Sequence, residues 1–163
     1  MTDGGKKLRV GVFSFTSDEG CIITFIEILN YKYRDWLPHL DFINARALKS
    51  DNRMEPMDVA FVEGAIANER ERERIKLIRD LSKKVVAVGS CAINGTPSNH
   101  RNFFDEERLA EINSVVTRFH HLPKVVPLKE FIQVDAEVPG CPMIEGKFVE
   151  VMDSYLKEFG VMS

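Results

Sequence analysis

Short apolar runs alternate with helix-length segments along this chain, and that alternation restricts the fold more than any single residue does. LRVGVFSF (8–15) ends in a loop, MDVAFVEG (57–64) is stopped by Gly64, and KVVAVGSCA (84–92) is continuously apolar, as central parallel strands are. LDFINARAL (40–48) is a weaker strand, and PLKEFIQVDAEVPGCP (127–142) contains a final one before a Pro-Gly-Cys-Pro turn. Helices are expected between and after these runs. CIITFIEILNYKY (21–33) is apolar nearly all round, which predicts burial on more than one side. NERERERIKLIRDLSKK (68–84) carries one stripe of Ile75, Ile78 and Leu81 or Leu77, with alternating Glu and Arg forming a solvated face. FDEERLAEINSVVTRFHH (104–121) has an acidic first turn that suits the helix dipole, and MIEGKFVEVMDSYLKEFG (143–160) is amphipathic. Strands alternating with helices predict an α/β fold with a mainly parallel sheet and helices on both faces. With 163 residues, one domain over 1–163 is expected, with 1–7 as a disordered lead.

The formal charge of −3 gives no electrostatic reason to expect nucleic acid or an anionic membrane as partner. The apolar stretches fall far short of a membrane span, so no direct span is expected. The start, MTDGGKKLRV, has neither an apolar signal region nor a twin-arginine pair, which predicts a cytoplasmic protein. Three cysteines, Cys21, Cys91 and Cys141, cannot form a complete disulfide set, and a reducing compartment keeps them as thiols.

Each cysteine falls just after an expected strand. In an open parallel sheet the carboxyl ends of the strands share one edge, where ligands bind. Three thiols far apart in sequence are therefore expected to meet in space. Each has a small neighbour (Gly20, Ser90, Gly140), which leaves backbone amides free to approach an anionic group. Thiolates select soft metals, chiefly zinc and iron–sulfur clusters. Zinc sites usually draw cysteines in local pairs, which are absent here; ligands from separate loops suit a cluster seated in a pocket. A four-iron cluster wants a fourth ligand. Asp18, three residues before Cys21, is the candidate, with Glu19 a lesser one; a helix cap is an equally good role for Asp18. The loop FTSDEGC (15–21), with Thr16 and Ser17, faintly suggests a flavin phosphate loop, but Asp18 and Glu19 at a helix start repel a phosphate.

Taken in order, four segments resemble the small subunit of [NiFe] hydrogenases, whose fold is shared with the 20 kDa cluster-bearing subunit of respiratory complex I. FTSDEGC resembles that family's Thr-Ser-Cys-x-Gly-Cys loop, and VAFVEGAI its Val-Glu-Gly segment. VVAVGSCAINGTPSNHRN resembles its Gly-x-Cys-Ala loop ending in Arg-Asn, and VPGCP its closing Pro-Gly-Cys-Pro. The resemblance runs from Val10 to about Leu156. It implies a flavodoxin-like domain holding one proximal [4Fe-4S] cluster against a large subunit that carries the NiFe centre, so the H2-activating site lies on the partner and this chain has no catalytic residue. It puts Cys21, Cys91 and Cys141 at three cluster-ligand positions and Asp18 at the fourth, where the family has cysteine. A carboxylate there implies an altered, pH-sensitive potential. The short form resembles that of soluble cytoplasmic hydrogenases, including NAD-reducing ones, whose further iron–sulfur or flavin subunits lead to NAD(P) or another carrier. Retention of Gly20-Cys21 favours the hydrogenase side over complex I, whose first motif has adjacent cysteines.

Glu63 is expected at a strand end on the same edge, as a second-sphere group for the cluster or as a cap. Arg101 is expected to face the cluster's charge or the partner, or to be an exposed loop residue. His100, His120 and His121 have no ligand spacing and are expected on the surface. The apolar helix from Cys21 to Tyr33, extended by Trp36, is expected to form part of the large-subunit interface or the core of one sheet face. The alternatives to a hydrogenase subunit are a cluster subunit of a complex I-like oxidoreductase and a cluster-free scaffold.

Overall fold

The computed structural model describes residues 5–163. Of the expected lead, residues 1–4 lie outside the described residues, and 5–7 are exposed and lack regular structure. Strands β1 (Leu8–Ser14), β2 (Leu40–Ala45), β3 (Met57–Glu63), β5 (Ser82–Val88) and β7 (Ala136–Val138) form one sheet in the order β2-β1-β3-β5-β7. Every pairing in it is parallel. The helices are α1 (Gly20–Trp36), α2 (Glu69–Leu81), α3 (Gly89–Asn94), α4 (Glu106–Arg118) and α5 (Glu145–Glu158).

All seven residues of β3 are buried, as a central strand covered on both faces requires. On one face α1 and α5 pack over Val10, Val12, Phe61 and Val86, with Phe148 at the centre of an aromatic group. Its ring lies 4.9 Å from Phe61, 5.5 Å from Phe25 and 6.3 Å from Trp36. Trp36 Nε1 donates to Asp153 Oδ1 at 2.8 Å and so ties α1 to α5. On the other face Ile75 and Ile78 of α2 pack with Phe13, Ile43, Met57 and Val62. The rest of α2 is the charged face expected; Leu81 is half-buried and Leu77 exposed, which decides which leucine completes the stripe. Asn68 caps α2 by accepting the Glu71 N–H at 2.9 Å, and Asp105 caps α4 by accepting the Arg108 N–H at 2.9 Å.

Two expectations are corrected. First, α1 is not buried on more than one side. Phe25, Ile28, Leu29 and Trp36 face the sheet, whereas Ile23, Tyr31 and Tyr33 are open to solvent. Only the 3.6-residue stripe reaches the core, and the apolar residues off that stripe lie on the surface of this chain. Trp36 is fully buried, so it belongs to the core and not to an interface. Second, β4 (Ile66–Asn68) and β6 (His121–Val126) form an antiparallel pair outside the main sheet, in stretches where no strand is expected from the sequence.

Candidate cluster site at the carboxyl edge of the sheet

β1, β3, β5 and β7 end on one edge of the sheet, and the turns that leave them build a cleft. The cleft is narrow, about 20 Å³. Cys21, Cys91 and Cys141 all line it, together with Asp18 and Glu63. Cys21 lies in the first turn of α1, Cys91 in the short α3 that follows β5, and Cys141 just after β7. Cys21 and Cys91 are half-buried and Cys141 is exposed at the mouth.

Two glycines shape the cleft. Gly89 has φ +80°, and a Cβ built on it would sit 2.5 Å from Cys21 Sγ, so its bare backbone leaves the sulfur its space. Gly140 has φ +118°, and a Cβ there would meet Pro142 O at 2.5 Å. Its carbonyl accepts the Ser90 N–H at 2.8 Å and holds the β5 and β7 turns together.

Burial pushes the Cys21 thiol up to about 12, the Met143 N–H lowers it, and charge on Glu63, Cys141 and Cys91 raises it further. Anionic charge on its cleft neighbours thus disfavours a Cys21 thiolate. A soft, positively charged metal group reverses that balance, since a coordinated thiol is deprotonated outright. Among the described residues no three His, Cys, Asp or Glu side chains are grouped to hold one metal ion. A cage of several irons binds each ligand through a different iron, so spaced thiols around a glycine-lined hollow fit it where they do not fit a single ion. The soft donor set and the cradle over Cys21 suit an iron–sulfur group.

Asp18 Oδ1 accepts the Gly20 N–H at 3.0 Å, so this carboxylate closes the turn into α1 while lining the cleft. Glu19 stands at φ 62° without a side-chain cap bond and faces a separate cavity. Glu63 is 2% exposed. Its Oε1 accepts from Ser14 and Ser17, each at 2.9 Å, and its Oε2 accepts the Ile22 N–H at 3.0 Å. Burial raises the Glu63 carboxyl above its ordinary value, the three hydrogen bonds oppose that, and the charge of Glu19 adds to the rise. Arg101 does not line the cleft: its guanidinium donates to the carbonyls of Leu122 and Pro123, at 2.6 and 3.0 Å, and steadies β6. His121 Nδ1 lies 3.1 Å from Ala67 O in the β4–β6 pair and does not line the cleft. Ser98 is a site residue that the sequence does not single out. Its hydroxyl lies 3.2 Å from Cys91 Sγ and 3.0 Å from Thr16 O, donating its one proton to one or the other. It stands in the loop INGTPSNHRN, whose length is the only signal in the sequence.

Residues 19–155 match the family described as NADH ubiquinone oxidoreductase, 20 Kd subunit. The chain belongs to that family. One subunit of the F420-non-reducing hydrogenase of Methanothermobacter marburgensis is 31% identical, over 93% of this chain and 54% of the relative. The delta subunit of the NAD-reducing hydrogenase HoxS of Cupriavidus necator is 26% identical, over 90% of this chain and 78% of the relative. A chain in the crystal structure of NAD+-reducing [NiFe]-hydrogenase in the H2-reduced state superposes with a TM-score of 0.77 at 25% identity, covering 93% of both chains. This member of the 20 Kd subunit family spans about half the length of the F420-non-reducing hydrogenase subunits it matches. The match includes Cys21, Cys91, Cys141 and Glu63 but begins one residue after Asp18. Among the described residues no helix is long and apolar enough to cross a membrane.

Proposed function

We propose that this chain is the electron-transfer small subunit of a cytoplasmic [NiFe] hydrogenase. Cys21, Cys91, Cys141 and Asp18 would hold one [4Fe-4S] cluster, lying between the NiFe site of a large subunit and further iron–sulfur or flavin subunits that reach NAD(P) or another carrier. The observation that carries this reading is the meeting of three thiols, from three different strand ends, in one glycine-shaped cleft. The hydrogenase subunits among its relatives, and the match to NAD+-reducing [NiFe]-hydrogenase, support it.

When bound, such a cluster supplies reversible one-electron transfer. The chain's own residues set its surroundings. The Met143 N–H lowers the Cys21 thiol and the Ser98 hydroxyl lies by the Cys91 sulfur; N–H and O–H groups donating to a cluster's sulfurs would favour its more negative, reduced state. Glu63 lines the cleft with its carboxylate engaged by three donors, and it fixes the first turn of α1, on which Cys21 rides. Exposure of Cys141 leaves one side of the cleft open toward a partner, and the exposed Ile144 and Ile23 are apolar surface for that contact.

Anaerobic purification with co-expressed neighbouring subunits tests the reading. The expected result is a brown protein with about four irons and four labile sulfides per chain and with nickel on the partner. Iron without nickel would instead favour the second reading, a cluster subunit of a complex I-like oxidoreductase, which the family's description supports. Colourless, iron-free protein would leave only the cluster-free scaffold.

A further inference from the structure

A second cavity, of about 280 Å³, opens at the carboxyl ends of β1 and β2, on the far side of the β1–α1 loop from the cysteines. One wall is apolar, built from Val12, Phe13, Ile22, Phe25 and Leu48. The other is cationic, with Arg46 from the turn after β2 and Arg74 from α2. Among the described residues no carboxylate lies within 4.0 Å of either guanidinium. Arg74 is half-buried and stands over the rings of Phe13 and Phe15, 5.8 and 5.6 Å from their centroids, which fixes its charge at the cavity. Burial and then the charges of Arg46 and Arg70 lower the Arg74 guanidinium from its ordinary value. Glu71, whose carboxylate accepts from the Thr16 hydroxyl and the Ala67 N–H, offsets this only in part. Glu19, the one acid in the lining, is exposed at the rim. Like charges held around one hollow repel, and an anion between them turns that repulsion into attraction.

We propose that this cavity binds a small organic oxyanion, a phosphate ester or a carboxylate, with its charged end on Arg46 and Arg74 and its apolar portion against Ile22, Phe25 and Leu48. The volume approaches that of small-molecule sites, and the paired guanidinium and apolar walls match a ligand with two such ends. An acidic side chain from a partner subunit would satisfy the arginines but leave most of the hollow unfilled. The proposal does not depend on a cluster in the neighbouring cleft.

The test is ligand-observed NMR titration of the full chain, purified with its partners, using phenyl phosphate, inorganic phosphate and benzyl alcohol as probes. Phenyl phosphate is expected to bind saturably and about tenfold tighter than either fragment, with Arg46→Gln and Arg74→Gln each weakening it by about fivefold or more and iron content unchanged. Arg46 is exposed, so Arg46→Gln keeps the test decisive even if Arg74→Gln disturbs the packing on Phe13. Absence of saturable binding up to about 10 mM, a Kd untouched by Arg46→Gln, or inorganic phosphate binding as tightly as phenyl phosphate would each overturn the proposal. Loss of iron with phenyl phosphate binding intact would count against the cluster and leave this site standing.

Discussion

The buried carboxylate of Glu63, at the end of β3, accepts the backbone N–H of Ile22 in the first turn of α1 at 3.0 Å. One side chain thus anchors the helix that carries Cys21 to the central strand of the sheet. Truncation by Glu63→Ala leaves that N–H and the Ser14 and Ser17 hydroxyls without their acceptor, and is expected to cost about 3 kcal/mol, against about 1 kcal/mol for Glu63→Gln, which keeps an acceptor oxygen. Urea denaturation of the three proteins checks the order; equal losses for both variants would show that the hydrogen bonds are not what matters.

Asp18 has a structural task and a proposed chemical one, and Asp18→Asn separates them. The amide oxygen still accepts the Gly20 N–H, so stability is expected to change by less than about 0.5 kcal/mol. A neutral amide is a poor iron ligand, so iron per chain should fall or the EPR signal should change. Unaltered iron and EPR would reduce Asp18 to a cap. Asp18→Cys should shift the midpoint potential and flatten its pH dependence.

Gly89→Ala places a methyl where the Cys21 sulfur lies 2.5 Å away, in a backbone conformation with φ +80°. Expected are a loss of about 1–2 kcal/mol from the left-handed backbone alone and a marked fall in bound iron. Gly146→Ala is the control: it lies in α5 with nothing within 4 Å of the added methyl, and should stabilise by about 0.5–1 kcal/mol. Thermal melts and iron assays on both variants make the comparison.

Asp135 contributes to acid stability. Burial raises its carboxyl, but the Arg79 guanidinium at 2.6 Å and the Val85 N–H at 2.7 Å outweigh burial and hold it below the ordinary value of 3.8. A carboxyl lowered on folding binds its proton more weakly in the native state. Its stabilisation is therefore present above the ordinary value and fades as pH drops below it, through the lowered native value. Asp135→Asn should cost about 2 kcal/mol at pH 7, with the gap to the wild type closing in acid. A gap that stays constant down to the acid transition would contradict this assignment.

Most of the sheet is visible in the sequence because its strands are continuous apolar runs, and a parallel sheet then dictates that Cys21, Cys91 and Cys141 share an edge. What the sequence hides follows from length and from side-chain detail. β4 has three residues, too few to establish a period, and α3 has six, so Cys91 lies on a helix where only a strand end is visible. β6 carries Pro123 and Lys124, which mask its pairing with β4. The apolar content of α1 indicates burial but not direction, so Ile23 and Tyr31 look the same in sequence as Ile28. Arg101 stands in an expected loop and Arg74 on the expected solvated face of a helix; only the fold shows that the first is tied to backbone carbonyls and the second faces a hollow.

The shortness of β7 also bears on how the cleft is assembled. This strand is an outer one, joined to the sheet through β5 alone and over three residue pairs. No adjacent pair in the sheet is connected by a hairpin, so β7 must wait for β5 to be seated before it has anything to join. Cys141 thus follows the most weakly joined strand of this edge, and fraying there would free its thiol ahead of Cys21 and Cys91.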